Sequence, residues 1–283
     1  MSAREPAYLR PADDAAAIAL RAAHPDYLVL AGGTDLLVSA HHRAVPVGIL
    51  DIAGRFAGIT VDTRGAMIGA GTSWRAIATS AALAEGWPIL PAAAAEVGAL
   101  QIQQRGTLGG NLATSSPVGD GLPVLLALDA TIHLASAARG ARAVPYREFC
   151  TGYRATALAA DELITAIAVP RVPAGAYQGW RKVGTRAAQS ISKVMAAAVI
   201  VVDGGVITVA RLAVGAVADR PIRLAAAEAA ALGQAPDAAT AARVAAAAEA
   251  AITPIDDVRS TARYRRQVAG ALLARFVTNA GSR

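Results

Sequence analysis

Two short segments rich in glycine constrain this chain more than any other feature of its sequence. The first, Leu30-Ala-Gly-Gly-Thr-Asp-Leu-Leu37, follows directly on a predicted strand over Tyr27–Ala31. The second, Arg105–Pro117, contains another Gly-Gly pair among hydroxyl and amide side chains. Adjacent glycines allow backbone conformations closed to other residues, and their N–H groups can converge on an anion. Two such loops brought together could hold the two phosphoryl groups of a diphosphate from opposite sides.

Neither segment follows the best-known nucleotide-binding patterns. A dinucleotide fingerprint needs G-x-G-x-x-G, and at Gly69-Ala-Gly-Thr-Ser-Trp74 a tryptophan stands in place of the third glycine. A P-loop needs a lysine directly after its last glycine, and neither Lys182 nor Lys193 has that context. Each glycine segment alone could be a tight turn between a strand and a helix. The occurrence of two, with matching threonines, favours a ligand site.

Composition excludes several classes of protein. The 283 residues are 54% hydrophobic and 17% charged, which excludes a disordered polyelectrolyte and allows one large domain or two ordinary ones. The longest apolar runs, such as Met195–Val202, are shorter than the roughly 18 residues of a membrane helix. The sequence begins without the apolar core of a signal peptide, so we expect a cytoplasmic protein with no membrane span. Cys150 is the only cysteine, which excludes a multi-cysteine iron–sulfur or zinc site.

The net charge of +6 does not by itself indicate nucleic-acid binding. The basic residues are scattered along the chain, and all but Lys182 and Lys193 are arginines. A nucleic-acid interface needs a basic stripe or patch, so we expect no such partner. The histidines are too scattered for a metal site. Arg259, Arg263, Arg265 and Arg266 accompany Asp256 and Asp257 at helical spacing, which predicts an exposed or subunit-facing ion-pair surface.

The chain divides into two parts at a break rich in proline and glycine over residues 168–175. Before it, helices and strands alternate; after it, a strand hairpin turns at Asp203-Gly204-Gly205 and helices follow. The predicted strands are Val47–Ile52, Ala66–Ala70, Thr131–Ala135, Val194–Val202 and Val206–Val217. The predicted helices are Pro11–His24, Trp74–Glu85 (one or two), Pro91–Val97, Gly119–Asp129, Leu224–Leu232, Ala238–Ile252 and Val258–Val277.

The order of these motifs resembles the FAD-binding subunit of the molybdenum hydroxylases, the family of xanthine dehydrogenase and carbon monoxide dehydrogenase. The resemblance rests on Ala31-Gly-Gly-Thr-Asp35, on Gln101–Leu112 and on Ser116-Pro-Val-Gly-Asp120. It extends through Phe149–Arg154, Glu162–Pro170, Lys182–Lys193 and Asp257–Arg265. It implies an α+β fold, in which a two-subdomain FAD-binding region of the vanillyl-alcohol-oxidase/PCMH type spans residues 1–172, split near 55–60. A smaller α+β domain follows over residues 173–283.

The resemblance also assigns residues to FAD. The first segment would line the diphosphate with Leu30, Ala31, Gly32, Gly33, Thr34, Asp35 and Leu36, and the second with Thr107, Gly109, Gly110, Asn111 and Ser115. Asp120 would lie near the ribityl chain and Ile164 against the isoalloxazine. Lys182 would reach the pyrimidine end of the flavin, and the Thr185–Ser192 loop would gate that face. Gln103-Gln104 replaces an Arg-Asn pair of many family members, which puts details of adenine or diphosphate packing in question.

The implied function is electron transfer within an oxidoreductase. FAD would accept electrons from iron–sulfur clusters and pass them to a terminal acceptor, while this chain supplies neither a catalytic residue for substrate oxidation nor a metal ligand. The implied partners are a small subunit with [2Fe–2S] clusters and a large molybdopterin subunit, as a dimer of heterotrimers. Two alternatives stay open: a stand-alone flavin-dependent oxidase, which would need its own base, and a non-catalytic assembly module whose glycine segments are structural only.

Overall fold

The computed structural model describes residues 6–38, 40 and 44–282. The first strands in the sequence form a parallel three-stranded sheet. Its strands β1 (Ala7–Leu9), β2 (Leu28–Leu30) and β3 (Gly48–Asp51) lie in the order β1-β3-β2. Helix α1 (Asp14–Ala23) joins the first two strands, and Asp13 caps it by accepting a hydrogen bond from the Ala16 N–H. The predicted helix and both predicted strands of this region are confirmed.

An antiparallel five-stranded sheet follows. Its strands, in spatial order, are β4 (Ile59–Val61), β5 (Gly65–Gly69), β10 (Leu163–Pro170), β6 (Thr131–Ser136) and β7 (Gly140–Pro145). Strand β10 lies at its centre although it comes last in sequence. A short helix α8 (Tyr146–Phe149) and the two-stranded sheet of β8 (Cys150–Gly152) and β9 (Ala155–Thr156) lie between β7 and β10. The subdomain split expected near residues 55–60 falls after β3 and reaches the start of β4, and it stays a prediction.

Six short helices connect β5 to β6: α2 (Trp74–Ala78), α3 (Ala81–Gly86), α4 (Ile89–Ala95), α5 (Leu100–Arg105), α6 (Leu108–Thr114) and α7 (Leu122–Ala127). The expected helices within Trp74–Glu85, Pro91–Val97 and Gly119–Asp129 correspond to α2–α4 and α7. Helices α5 and α6 were not predicted. Most of the second glycine segment is therefore helix rather than loop, and Gly109 and Gly110 lie in the first turn of α6.

The C-terminal part pairs an antiparallel sheet with three helices. The sheet runs β11 (Tyr177–Val183), β12 (Val194–Asp203), β13 (Val206–Gly215) and β14 (Ile222–Arg223), and α9 (Ala225–Ala231), α10 (Ala238–Ala251) and α11 (Ala262–Gly281) follow. The predicted hairpin is confirmed, and Gly204 and Gly205 both take positive φ in its turn. Helix α11 begins later than predicted, because a turn over 257–260 precedes it and Thr261 caps it.

The two faces of β12 belong to two hydrophobic cores. Ala197 and Val199, with Ala213 of β13, pack into the core of the N-terminal part, whereas Ala196 and Ala198 face the core formed with the C-terminal helices. The alternation of a strand thereby joins the two parts of the chain through one sheet. None of the helices in the described part of the chain is both long enough and apolar enough to span a bilayer.

Candidate functional site

The two glycine segments lie in direct backbone contact. A Cβ atom added to Gly32 would stand 1.9 Å from the Arg105 carbonyl oxygen, and one added to Gly106 would stand 3.2 Å from Thr34 Oγ1. Only glycine allows backbones to approach so closely. The structure therefore brings together the segments that the sequence singled out, with residue 32 as the point of closest approach.

A third segment, Gly69–Trp74, holds the second one in place. The Trp74 N–H donates to the Gly106 carbonyl at 3.0 Å, and the Leu108 and Gly109 N–H groups donate to the carbonyls of Thr72 and Ala70 at 3.1 and 2.7 Å. The sequence had suggested this segment only as half of a dinucleotide fingerprint. Gly69 and Gly71 were the signal in the sequence that could have indicated this role, because closely spaced glycines also occur where a turn packs tightly against another backbone segment.

Open space lies beside the first turn of α6. Thr107 caps this helix by accepting the Gly110 N–H at 3.0 Å, and a Cβ added to Gly110 would meet only that hydroxyl within 4 Å. The Asn111 side-chain oxygen is buried and has no hydrogen-bond partner in the described part of the chain. Since buried polar atoms nearly always have partners, Asn111 fits a ligand that brings a hydrogen-bond donor, such as the hydroxyl groups of FAD.

The remaining predicted residues have more varied surroundings. Gly33 takes a left-handed φ of 75°, which favours glycine, and Asp35 pairs with Arg154 at 3.7 Å. The Ser115 hydroxyl is buried and lies 3.0 Å from the Cys150 sulfur atom, so it already has a partner within the chain. Ile164 is buried in β10, beside a bulge in its pairing with β6. The contacts of these residues with a cofactor stay predictions.

A buried charged cluster joins the predicted Asp120 and Lys182. The Lys182 ammonium donates to Asp120 Oδ2 at 2.7 Å and to the Glu96 carbonyl at 3.0 Å. The Ser192 hydroxyl donates to Asp120 Oδ1 at 2.7 Å. The side chains of Lys182 and Asp120 are only 6% and 11% exposed, so their attraction is weakly screened. We call these three residues the Asp120–Lys182–Ser192 cluster; sequence reasoning had not linked its members.

Burial sets the protonation behaviour of the carboxyl groups here. It raises the pKa of Asp120, while the Lys182 charge and the hydrogen bonds from Lys182 and Ser192 act in the opposite direction. It also raises the pKa of Glu96, again opposed by Lys182. Both carboxyl groups therefore hold a proton at higher pH than ordinary acidic side chains.

A cleft of about 490 Å³ adjoins the cluster. It is lined by Glu96 and by residues 181–187, so Lys182 forms part of its wall. Arg181 and Arg186 add two further guanidinium groups to this lining. Among the described residues, no three histidine, cysteine or acidic side chains lie close enough together to hold a metal ion.

One of the C-terminal arginines departs from the expected exposed surface. Arg265 is 3% exposed, and its guanidinium donates to the carbonyls of Lys193 and Ala216 and to Asp257. The prediction of an exposed ion-pair surface is wrong for this residue, because α11 presents it toward the ends of β12 and β13. Arg259 and Arg263 are exposed.

Comparison with known proteins gives two family matches that together span most of the chain. The FAD binding domain in molybdopterin dehydrogenase matches residues 2–172, and the CO dehydrogenase flavoprotein C-terminal domain matches residues 180–280. The carbon monoxide dehydrogenase medium chain of Afipia carboxidovorans is 33% identical, over 98% of this chain and 96% of its own length. The nicotine 6-hydroxylase medium subunit of Paenarthrobacter nicotinovorans is 32% identical, over 98% and 97%.

Solved structures agree with these matches. Reconstituted CO dehydrogenase from Oligotropha carboxidovorans superposes with a TM-score of 0.93 at 31% identity, over 100% of both chains. Quinoline 2-oxidoreductase from Pseudomonas putida 86 superposes with a TM-score of 0.90 at 29% identity, over 100% of this chain and 99% of that one. The mixed α and β architecture described above, an FAD-binding domain followed by a flavoprotein C-terminal domain, is therefore shared along the whole chain.

Proposed function

Because the chain belongs to the FAD-binding subunits of the molybdenum hydroxylase family, we propose that it carries electrons between a partner subunit and a terminal acceptor. Bound FAD supplies the redox chemistry, since it can take up two electrons and release them to a different acceptor. The electrons would come from the [2Fe–2S] clusters of another subunit, because Cys150 alone cannot ligate a cluster here.

The proposal is carried by one observation: the two glycine segments lie together, and a buried side-chain oxygen beside them, Asn111 Oδ1, has no hydrogen-bond partner among the described residues. The FAD diphosphate would lie between residues 32–34 and 107–111, where Gly110 leaves room for it and Gly32 allows the Arg105 backbone to approach. Thr34 and Thr107 offer hydroxyl donors to the diphosphate, whereas Asn111 Oδ1, a buried acceptor that lacks a partner among the described residues, would accept from a hydroxyl group of FAD. Leu30, Ala31, Gly33, Asp35, Leu36, Gly109 and Ser115 complete the binding residues that we propose.

The charged cluster would orient the flavin end of the cofactor. An ammonium group has three N–H donors, and Lys182 uses two of them on Asp120 and Glu96. The third is available to the pyrimidine edge of the flavin, where a fixed positive charge stabilises negative charge gained on reduction. Asp120 would hold Lys182 in place and accept from the ribityl chain, and Ile164 would pack on the ring.

The partners that we propose are a small [2Fe–2S] subunit and a large molybdopterin subunit, in a cytoplasmic dimer of heterotrimers. Several relatives carry the name medium chain or medium subunit, which supports a place for this chain in such an assembly. The large subunit would then choose the organic substrate. The Thr185–Ser192 loop, which borders the cleft, would control access of the terminal acceptor to the flavin.

The purified chain provides the direct test. We expect it to retain or rebind FAD at one molecule per chain, with a flavin absorption spectrum, and to oxidise no organic substrate alone. Co-expression with the two partner subunits should yield a complex in which substrate reduces the flavin. Failure of the folded chain to bind FAD would overturn the proposal. Substrate turnover by the isolated chain would favour the stand-alone oxidase instead.

A further inference from the structure

A buried arginine from a distant part of the chain holds the carboxyl end of the loop over residues 184–192. The Lys193 N–H donates to the Val183 carbonyl at 2.8 Å and closes the loop at its base. The Lys193 carbonyl in turn accepts from Arg265 Nη1 at 2.7 Å. The loop that carries Ser192 and begins just after Lys182 is therefore held by α11 of the C-terminal part.

The same guanidinium nitrogen reaches a second segment. Arg265 Nη1 also donates to the Ala216 carbonyl at 2.9 Å, at the end of β13. The Ala216 N–H donates to the Pro117 carbonyl at 2.8 Å, three residues before Asp120. Ala216 takes a positive φ of 65°, a conformation that a non-glycine residue adopts only when its surroundings impose it.

The two arms converge on the Asp120–Lys182–Ser192 cluster. Val183 follows Lys182, Lys193 follows Ser192, and Pro117 shortly precedes Asp120. Each member of the cluster therefore lies within three residues of a backbone group in the network of Arg265. Such a network can matter for the cluster, because a misplacement of about 1 Å is enough to weaken the effect of a positioned group.

The arginine is itself held firmly. Its Nη2 donates to Asp257 Oδ1 at 2.7 Å, which compensates its buried charge. The neighbouring Tyr264 ring lies 5.5 Å from the Lys193 ammonium, a cation–π contact at the same loop base. The two terminal nitrogens of the planar guanidinium reach acceptors on different segments, a spacing that the single nitrogen of a lysine cannot reproduce.

We propose that Arg265 is a positioning residue: from the C-terminal part it fixes the relative placement of Asp120, Lys182 and Ser192. Its consequence for FAD affinity rests on the proposed function, whereas its effect on the cluster does not. If Arg265 had a purely structural role, its substitution would lower the stability of the whole chain evenly. If it positions the cluster, its substitution loosens the segments at Lys193 and Ala216 and alters the flavin that the cluster would contact.

Hydrogen exchange of the flavin-free chain tests the network independently of FAD. The variants are Arg265→Lys and Arg265→Met, with the exposed Arg263→Met as the matched control. We expect exchange to quicken by about tenfold at the Lys193 and Ala216 amides, and less in Arg265→Lys than in Arg265→Met. Amides of the five-stranded sheet, such as that of Ile167, should keep their wild-type rates. An even increase throughout the chain, or no increase at the two amides, overturns the proposal.

Flavin titration of the same proteins tests the consequence. FAD should bind about tenfold more weakly to Arg265→Met and by an intermediate factor to Arg265→Lys, while Arg263→Met stays within about twofold of wild type. The reduction potential of flavin bound to Arg265→Lys should fall, which is also the direction that we expect for a Lys182→Met variant. Loosened amides with unchanged affinity and potential overturn the positioning role. A wild-type chain that binds no FAD refutes the proposed function, and the exchange rates still decide the network.

Discussion

The Lys182 ammonium lies 2.7 Å from Asp120 Oδ2, so two residues 62 positions apart act as one buried ion pair. The sequence had suggested them as separate contacts at different parts of a ligand. Their pairing changes the electrostatics of the site, because the positive charge is largely balanced by its neighbour. Replacing either residue alone leaves the other buried without its charge partner, which costs more than the pair itself is worth.

The first prediction concerns Lys182→Met in the flavin-loaded protein. The substitution keeps much of the side-chain length but removes the charge and leaves Asp120 unpaired. Both changes disfavour negative charge on a nearby flavin, so its reduction potential should fall. A loss of about 1–2 kcal/mol for a partly desolvated charged hydrogen bond corresponds to about 20–45 mV for a two-electron couple. Potentiometric titration measures the shift.

The double variant Lys182→Met with Asp120→Asn tests whether the unpaired Asp120 charge contributes to this shift. Since it removes both charges, its potential should return toward that of the wild type. Arg181→Met, which removes an exposed cation from the same cleft, is the control for general charge effects. An unchanged or higher potential in Lys182→Met would refute its placement beside the flavin.

A second prediction uses the buried carboxylate Glu162. It accepts hydrogen bonds from Arg142 Nε and Nη2 at 2.6 and 2.8 Å and from the Ala159 N–H at 2.9 Å, and these hold its pKa below the ordinary value. A lowered pKa stabilises the fold above the unfolded-state pKa of about 4.3, and this contribution is lost as the pH falls through the lower folded-state value. Glu162→Gln should therefore lower the unfolding free energy at pH 7 by about 1–3 kcal/mol.

Denaturant unfolding of the flavin-free chain at several pH values measures this effect. The difference between wild type and Glu162→Gln should shrink as the pH falls below about 4, where the wild-type carboxylate is also protonated. Glu148→Gln is the matched control, because Glu148 is 59% exposed and its pair with Arg147 contributes little. A difference that does not depend on pH would contradict the assignment of this stability to the ionised carboxylate.

The features predicted correctly from the sequence are those that local residues determine. The hairpin at Gly204-Gly205 follows from two adjacent glycines between β-branched strands, and α1 follows from Asp13 and an Ala-rich amphipathic stretch. Helices α5 and α6 were missed because glycine and polar residues give them no apolar periodicity. The start of α6 depends instead on backbone hydrogen bonds from Leu108 and Gly109 to a distant segment, Gly69–Trp74.

Relationships across the chain were harder to predict. The pattern around Arg265 is equally compatible with a solvent-exposed helix face, and only the packing of α11 against the ends of β12 and β13 buries this residue. The contribution of Gly69–Trp74 likewise depends on its contact with Gly106, which no local pattern encodes. The two glycine segments were the exception, because their matching composition pointed to a shared ligand before any contact was known.

A third prediction concerns the pH dependence of FAD affinity. Burial raises the pKa of Asp120, so this carboxylate takes up a proton at a higher pH than an ordinary aspartate. Protonation removes the charge that holds Lys182. The affinity of the wild-type chain for FAD should therefore fall as the pH is lowered through this pKa, whereas Asp120→Asn should bind weakly at every pH and lack this transition. Fluorescence titration of FAD between about pH 4 and 8 measures both profiles.

Ser192→Ala refines this pH test. Removing the hydroxyl that donates to Asp120 Oδ1 destabilises the carboxylate, so the transition should move to higher pH while its amplitude is kept. Ser190→Ala lies in the same loop, away from Asp120, and should behave as the wild type. Identical pH profiles for the wild type and Asp120→Asn would remove Asp120 from the binding site.

The last prediction separates two glycines that occupy the same site for different physical reasons. In Gly32→Ala the new methyl group would collide with the Arg105 carbonyl at 1.9 Å, so the two segments must separate. This overpacking should lower the unfolding free energy of the flavin-free chain by about 1–3 kcal/mol and also weaken FAD binding. In Gly110→Ala the methyl group would meet only the Thr107 hydroxyl, at 2.9 Å.

The cost of disturbing that helix cap, about 1 kcal/mol, is offset by the better helix propensity of alanine, which is worth roughly 0.5–1 kcal/mol. Gly110→Ala should therefore unfold at nearly the wild-type temperature without flavin, yet bind FAD much more weakly, because its methyl group fills the space that we assign to the diphosphate. Thermal unfolding of the flavin-free chains and FAD titration give the two readouts. Wild-type affinity in Gly110→Ala would show that the diphosphate does not lie beside α6, even if Gly32→Ala fails to bind.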